Sequence, residues 1–72
     1  MQVQVNIFAD LRKIRTLSVA LADDSDALRL IQQIGIPAEE VGVLSINGQQ
    51  ATFDQTLHPG DIVHIIPPIG GG

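Results

Sequence analysis

Cysteine, tryptophan and tyrosine are absent from the 72 residues, and phenylalanine occurs only twice. Without a thiol there is no disulfide framework, no thiolate metal site and no cysteine nucleophile. That absence fits a cytoplasmic protein. Two aromatic rings do not make a platform for stacking nucleic-acid bases. Positive charge is also scarce. Four Lys and Arg against eight Asp and Glu leave a net charge of −4, and the one basic cluster, Arg12, Lys13 and Arg15, is too small to track a phosphate backbone. Long apolar runs are missing: none approaches the ~20 residues that cross a bilayer. Residues 1–8 are polar at every second position and lack a basic start, so no secretory signal is read there. The expectation is a cytoplasmic protein with no nucleic-acid and no membrane partner, whose acidity suits a basic protein surface.

What the chain does have is a 44% hydrophobic composition, enough for one core and one domain. A chain this short buries only about 60% of the surface its unfolded form exposes. It has no room for both a core and a deep substrate pocket. A carrier, adaptor or binding module is therefore expected rather than a self-sufficient enzyme, and a monomer when free.

Val3, Val5 and Ile7 alternate with polar residues, as do Leu17, Val19 and Leu21. Each set reads as a half-buried strand, and the short connection between them makes a hairpin. Asp23, Asp24, Ser25 and Asp26 offer helix-capping groups. Ala27, Leu30, Ile31 and Ile34 then fall on one face of a helix placed over 26–34, with Gly35 to end it and Pro37 to block continuation. Leu28 lies off that face and is expected to be exposed. Val43, Leu44 and Ile46 predict a third strand ending at an Asn47-Gly48 turn, followed by a short strand over 50–52. Pro59-Gly60 suits a type II turn, residues 61–66 form the last strand, and Pro67-Pro68 ends it by removing two backbone donors. The helix stripe needs a sheet face to cover it. The expected core is Val5, Ile7, Leu17, Val19, Leu57, Ile46 and Val63 with the helix stripe.

Several other residues have plain readings. His58 and His64 lack an acidic or cysteine companion at metal spacing and read as surface residues. The aspartates near 23–26 lack calcium-loop spacing and read as caps. Asn47-Gly48 reads as a turn and nothing more, Asp61 as a side chain bonding local backbone, and Glu39-Glu40 as solvated surface. No metal site is expected.

The sequence runs out through Gly70, Gly71 and Gly72 after Ile65-Ile66-Pro67-Pro68-Ile69. Glycines make a thin segment that enters a channel closed to any side chain, and a carboxylate on Gly72 would be a reactive handle. The plain alternative is an unstructured tail. The run Leu57-His58-Pro59-Gly60-Asp61-Ile62-Val63, two apolar residues, Pro67-Pro68, an aliphatic residue and the closing glycines together resemble the MoaD/ThiS-type ubiquitin-like sulfur carriers. Ile34-Gly35-Ile36-Pro37, Glu40-Val41 and Asn47-Gly48 extend the resemblance over nearly the whole chain.

The resemblance implies a ubiquitin-like β-grasp fold of the α+β class, a mixed sheet of four to five strands with one helix on one face, occupying residues 1–68 and followed by a flexible tail at 69–72. It implies that a ubiquitin-activating-type enzyme, using ATP and Mg, adenylates the Gly72 carboxylate. A sulfur donor protein converts it to a thiocarboxylate, and an acceptor synthase subunit receives the sulfur for cofactor biosynthesis of the molybdopterin or thiamin type. The carrier binds no cofactor of its own. Gly70 and Gly71 thread the channel, and Ile65, Ile66, Pro67, Pro68 and Ile69 form the partner-binding patch. By period-two alternation with Val63, Ile66 is the exposed member of its pair and Ile65 is a candidate for the core. Two other functions use the same parts: a ubiquitin-like modifier conjugated to lysines through Gly72, and a passive β-grasp interaction module.

Overall fold

The computed structural model describes residues 1–9 and 13–68. The expectations placed on Arg12 and on Ile69, Gly70, Gly71 and Gly72 fall outside the described residues.

Strand β1 (Gln2–Phe8) and strand β2 (Ile14–Ala20) form the predicted antiparallel hairpin, with Val3 opposite Val19 and Val5 opposite Leu17. Helix α1 (Ala27–Gln33) follows, then a single 3-10 turn at Ala38–Glu40 that the sequence reading did not anticipate. Strands β3 (Val43–Ile46), β4 (Gln49–Gln50) and β5 (Ile62–Ile66) complete a five-stranded sheet of order β2-β1-β5-β3-β4. The central pair, β1 and β5, is parallel, and every other pairing is antiparallel. This is the β-grasp arrangement expected from the sequence.

The helix is one residue shorter at each end than predicted, because Asp26 and Ile34 are its caps. The Asp26 carboxylate accepts the N–H of Arg29 at 2.9 Å, and the Asp26 carbonyl accepts that of Leu30 at 3.2 Å. The remaining first-turn donors, Ala27 and Leu28, reach the carbonyls of Gln55 and Phe53. The three helical donors that the first turn leaves open, Ala27, Leu28 and Arg29, are thereby satisfied, and the helix start is fastened to the segment that precedes β5. At the other end Gly35 has φ +82°. Its N–H reaches the Gln32 carbonyl, and the N–H of Ile36 reaches that of Ile31. This is a Schellman closure, which glycine enters without steric cost.

Ala27, Leu30 and Ile31 are fully buried against Val3, Val5, Val19, Leu21, Leu44, Ile46, Leu57, Val63 and Ile65. Ile7, Leu17 and Ile34 belong only to the margin of this core, Val3, Leu21 and Leu44 take places not assigned to them from sequence, and Ile65 takes the core place for which it was a candidate. The reason is length. A seven-residue helix is about 10 Å long, whereas a seven-residue strand runs about 23 Å. The cover is complete at the open end of the hairpin, over Val3, Val5, Val19 and Leu21, and leaves Ile7 and Leu17, nearer its turn, half-covered. Leu28 is exposed, as expected. The short strand falls at Gln49–Gln50 rather than 50–52, because Asn47 and Gly48 both have positive φ. They form a two-residue hairpin loop that returns the chain at once, pairing Ile46 with Gln49.

Candidate functional site

The last strand is placed by its entry turn. Pro59 and Gly60, with φ +83° at Gly60, carry the chain round so that the N–H of Asp61 returns to the His58 carbonyl at 3.1 Å. This is the type II geometry predicted. Asp61 is almost fully buried and closes the turn with both carboxylate oxygens. One accepts the N–H of His58 at 2.8 Å. The other accepts the side-chain amide of Asn47 at 2.9 Å, while the Asn47 amide oxygen accepts the N–H of Ile62 at 2.9 Å. Asn47 is therefore more than a turn residue: its side chain ties the β3–β4 loop to the root of β5. Sequence reasoning missed this because the partners lie 14 and 15 positions apart.

β5 then alternates. Val63 and Ile65 point into the core, and Ile62, His64 and Ile66 lie on the opposite face of the sheet. Ile65, grouped with the partner-binding residues from sequence, is 2% exposed and packs inside the domain, which leaves Ile66 as the half-exposed member. No described element covers the outer face. Val43 is the cross-strand neighbour of Ile66, and Ile14 that of Phe8. Val43 on β3, Ile62 on β5 and Ile14 on β2 are 40%, 41% and 56% exposed. His64 sits in the middle of this face, edge-on to the Phe8 ring at 5.7 Å between centroids. Asn6 and Thr16 add a polar stripe, joined at 3.0 Å.

Where the chain leaves β5, Pro67 is half-buried and Pro68 exposed. Both wall an open groove with Ile7, Phe8 and Ile36, whose rim carries Glu39 and Glu40 from the 3-10 turn. These two exposed carboxylates put negative charge next to the departing chain. His58 Nδ1 lies 3.9 Å from the Asp61 carboxylate, but among the described residues no group of three or more potential metal ligands gathers. No described helix is long and apolar enough to cross a membrane.

The arrangement is thus a rigid strand, a bare apolar face beside it, and a proline-stiffened exit, with nothing that resembles a catalytic constellation among the described residues. Comparison with known proteins matches this architecture. No curated protein matches the sequence. Among solved structures, the small archaeal modifier protein 1 from Haloferax volcanii aligns with TM-score 0.78 at 21% identity over 100% of both chains. A putative molybdopterin converting factor subunit 1 from Pyrococcus furiosus aligns with TM-score 0.72 at 25% identity, over 94% of this chain and 98% of that one. Subunit 1 or 2 of the molybdopterin-converting factor of Helicobacter pylori, solved as a complex of the two, aligns with TM-score 0.63 at 26% identity over 100% of both chains. The family model described as Mut7-C ubiquitin matches residues 3–70, from the first core valine to the glycines. The chain is a member of the Mut7-C ubiquitin family, with the ubiquitin-like β-grasp fold.

Proposed function

We propose that the domain is a sulfur carrier whose reactive group is the carboxylate of Gly72. The observation that carries this reading is the likeness, at 25% identity over 94% of the chain, to a putative molybdopterin converting factor subunit 1. The reading is supported by the run that leaves β5: a strand pinned at its root, then two prolines, Ile69 and three glycines.

A carboxylate is a poor electrophile. On this reading the Gly72 carboxylate attacks the α-phosphorus of ATP in the site of a ubiquitin-activating-type enzyme, and pyrophosphate leaves. A persulfide on a sulfur donor protein then attacks the acyl carbon and AMP leaves. A thiol reduces the resulting acyl disulfide and frees the thiocarboxylate. The carrier supplies no acid, base or metal; ATP and Mg belong to the activating partner. Gly70 and Gly71 pass the channel of that enzyme. Ile66 docks beside it with Pro67, Pro68 and Ile69, using the face continued by Val43 and Ile62. The likeness to a chain solved as one part of a two-subunit complex favours an acceptor synthase of the molybdopterin type over a thiamin type.

The test is intact-mass analysis of the purified protein after incubation with its activating enzyme, ATP and a sulfur donor. Replacement of one oxygen by one sulfur at Gly72 is the expected result. A ladder of lysine-linked conjugates in its place would make the chain a modifier. No change at all would leave a passive interaction module, and either result would sink the carrier reading.

A further inference from the structure

Gly42 stands immediately before β3, and its backbone does not demand glycine. Gly35, Gly48 and Gly60 have positive φ, whereas Gly42 does not. It is demanded by space. A Cβ built on Gly42 would lie 2.6 Å from the Cα of Pro68, 2.7 Å from the Pro68 nitrogen and 2.7 Å from the Pro67 carbonyl oxygen. All three are backbone atoms, so no change of rotamer makes room. The N–H of Gly42 also donates to the Ile66 carbonyl at 2.7 Å, one step beyond the last ladder pair, Val43 with Ile66. The two prolines are therefore laid directly across a bare backbone and are fastened just before they begin.

We propose that Gly42 is a positioning residue: its missing side chain and its N–H together set the direction in which the chain leaves β5. Proline fixes φ, so a direction imposed at Pro67 and Pro68 is held through those two residues, from which whatever follows must start. Four further residues reach at most roughly 14 Å. For a tail drawn out straight in a partner's channel, a tilt of about 10° at the root displaces the far end by roughly 2 Å, more than the 1 Å that can already cost about 100-fold in rate. The consequence for transfer rests on the carrier reading. The consequence for geometry does not, and the two are measured separately.

The geometric arm compares parent and Gly42→Ala by two-dimensional NMR and thermal melting. The variant is expected to melt cooperatively, to keep its helix and β1 resonances, to shift those of residues 66–68, and to exchange the amide proton of residue 42 faster. Unmoved resonances at 66–68, or a variant that unfolds, would overturn the proposal. The second arm measures thiocarboxylate formation with saturating activating enzyme. The rate for Gly42→Ala is expected to fall by at least ~10-fold with its affinity for that enzyme unchanged. Pro67→Gly with Pro68→Gly, which keeps Gly42 but removes the stiffness it acts through, should also load slowly. Adding Gly42→Ala to that pair should then cost little more. A parent-like rate for Gly42→Ala, or a fully additive triple variant, would overturn it. If the parent itself is never loaded, the carrier reading fails, and the resonances at 66–68 alone uphold or overturn the role of Gly42.

Discussion

At the scale of single residues, Asp61 decides how β5 begins. Its carboxylate holds the His58 N–H and the Asn47 amide at once, and a hydrogen bond to a charged group contributes about 1.5–3 kcal/mol. The His58 ring is not part of this: its Nδ1 lies 3.9 Å from the carboxylate and its side chain is largely in water. Asp61→Ala is therefore expected to cost about 2 kcal/mol, because both abandoned donors sit where water can reach them. Urea unfolding at fixed slope would measure it, and His58→Ala should leave stability nearly unchanged. The turn itself was legible from Pro59-Gly60 and from the short reach of an aspartate. The partnership with Asn47 was not, since no local pattern announces a side chain that bonds across the sheet. Gly42 was illegible for the same reason: a glycine required by close approach of distant backbone looks, in sequence, like any other glycine.

Among elements, the helix was the most legible and the 3-10 turn the least. Helical spacing of Ala27, Leu30, Ile31 and Ile34, an aspartate before them and a glycine after them all pointed one way, and each has its contact in the structure. The turn at Ala38–Glu40 has no periodic signal, only a proline ahead of it. Burial was read less well than periodicity. Alternation said which residues share a face, but how far a seven-residue helix reaches over that face depends on tertiary placement. Ile31 lies where the cover is complete and has no exposed surface. Ile31→Ala should cost about 2–5 kcal/mol, a large share of the 5–15 kcal/mol typical of a domain. Ile7→Ala, at the uncovered end of β1, should cost distinctly less. Equal losses in thermal or denaturant unfolding would mean that the helix does not organise the core as described.

For the whole molecule, the question is what a domain with one small core would offer a partner on the carrier reading. It offers a surface and an end. The surface is the outer face around β5, where a charge should be tolerated by the fold and rejected by an apolar interface. Ile66→Asp is expected to keep the parent melting temperature and to raise the Kd for the activating enzyme by at least ~10-fold, the loss of one buried aliphatic side chain. Parent-like affinity would move docking to another face. The end proposed is Gly72, and there the sequence and its family resemblance carried the whole inference, since residues 69–72 lie outside those the structure describes. In a protein that terminates at Gly72, deleting that residue shortens the reach by up to ~3.6 Å. Adding one residue moves the carboxylate onto the wrong atom and past the point where adenylation occurs. Misplacement by about 1 Å can already cost 100-fold, so both variants should accept sulfur at least ~100-fold more slowly than the parent. Both should also melt as the parent does, because among the described residues no member of the core lies beyond Ile65. Mass spectrometry of timed reactions reads the rate, and a melting curve reads the fold. If either variant is loaded at the parent rate, the reactive atom is not the Gly72 carboxylate, and the likeness to molybdopterin converting factor subunit 1 extends to the fold without extending to its chemistry.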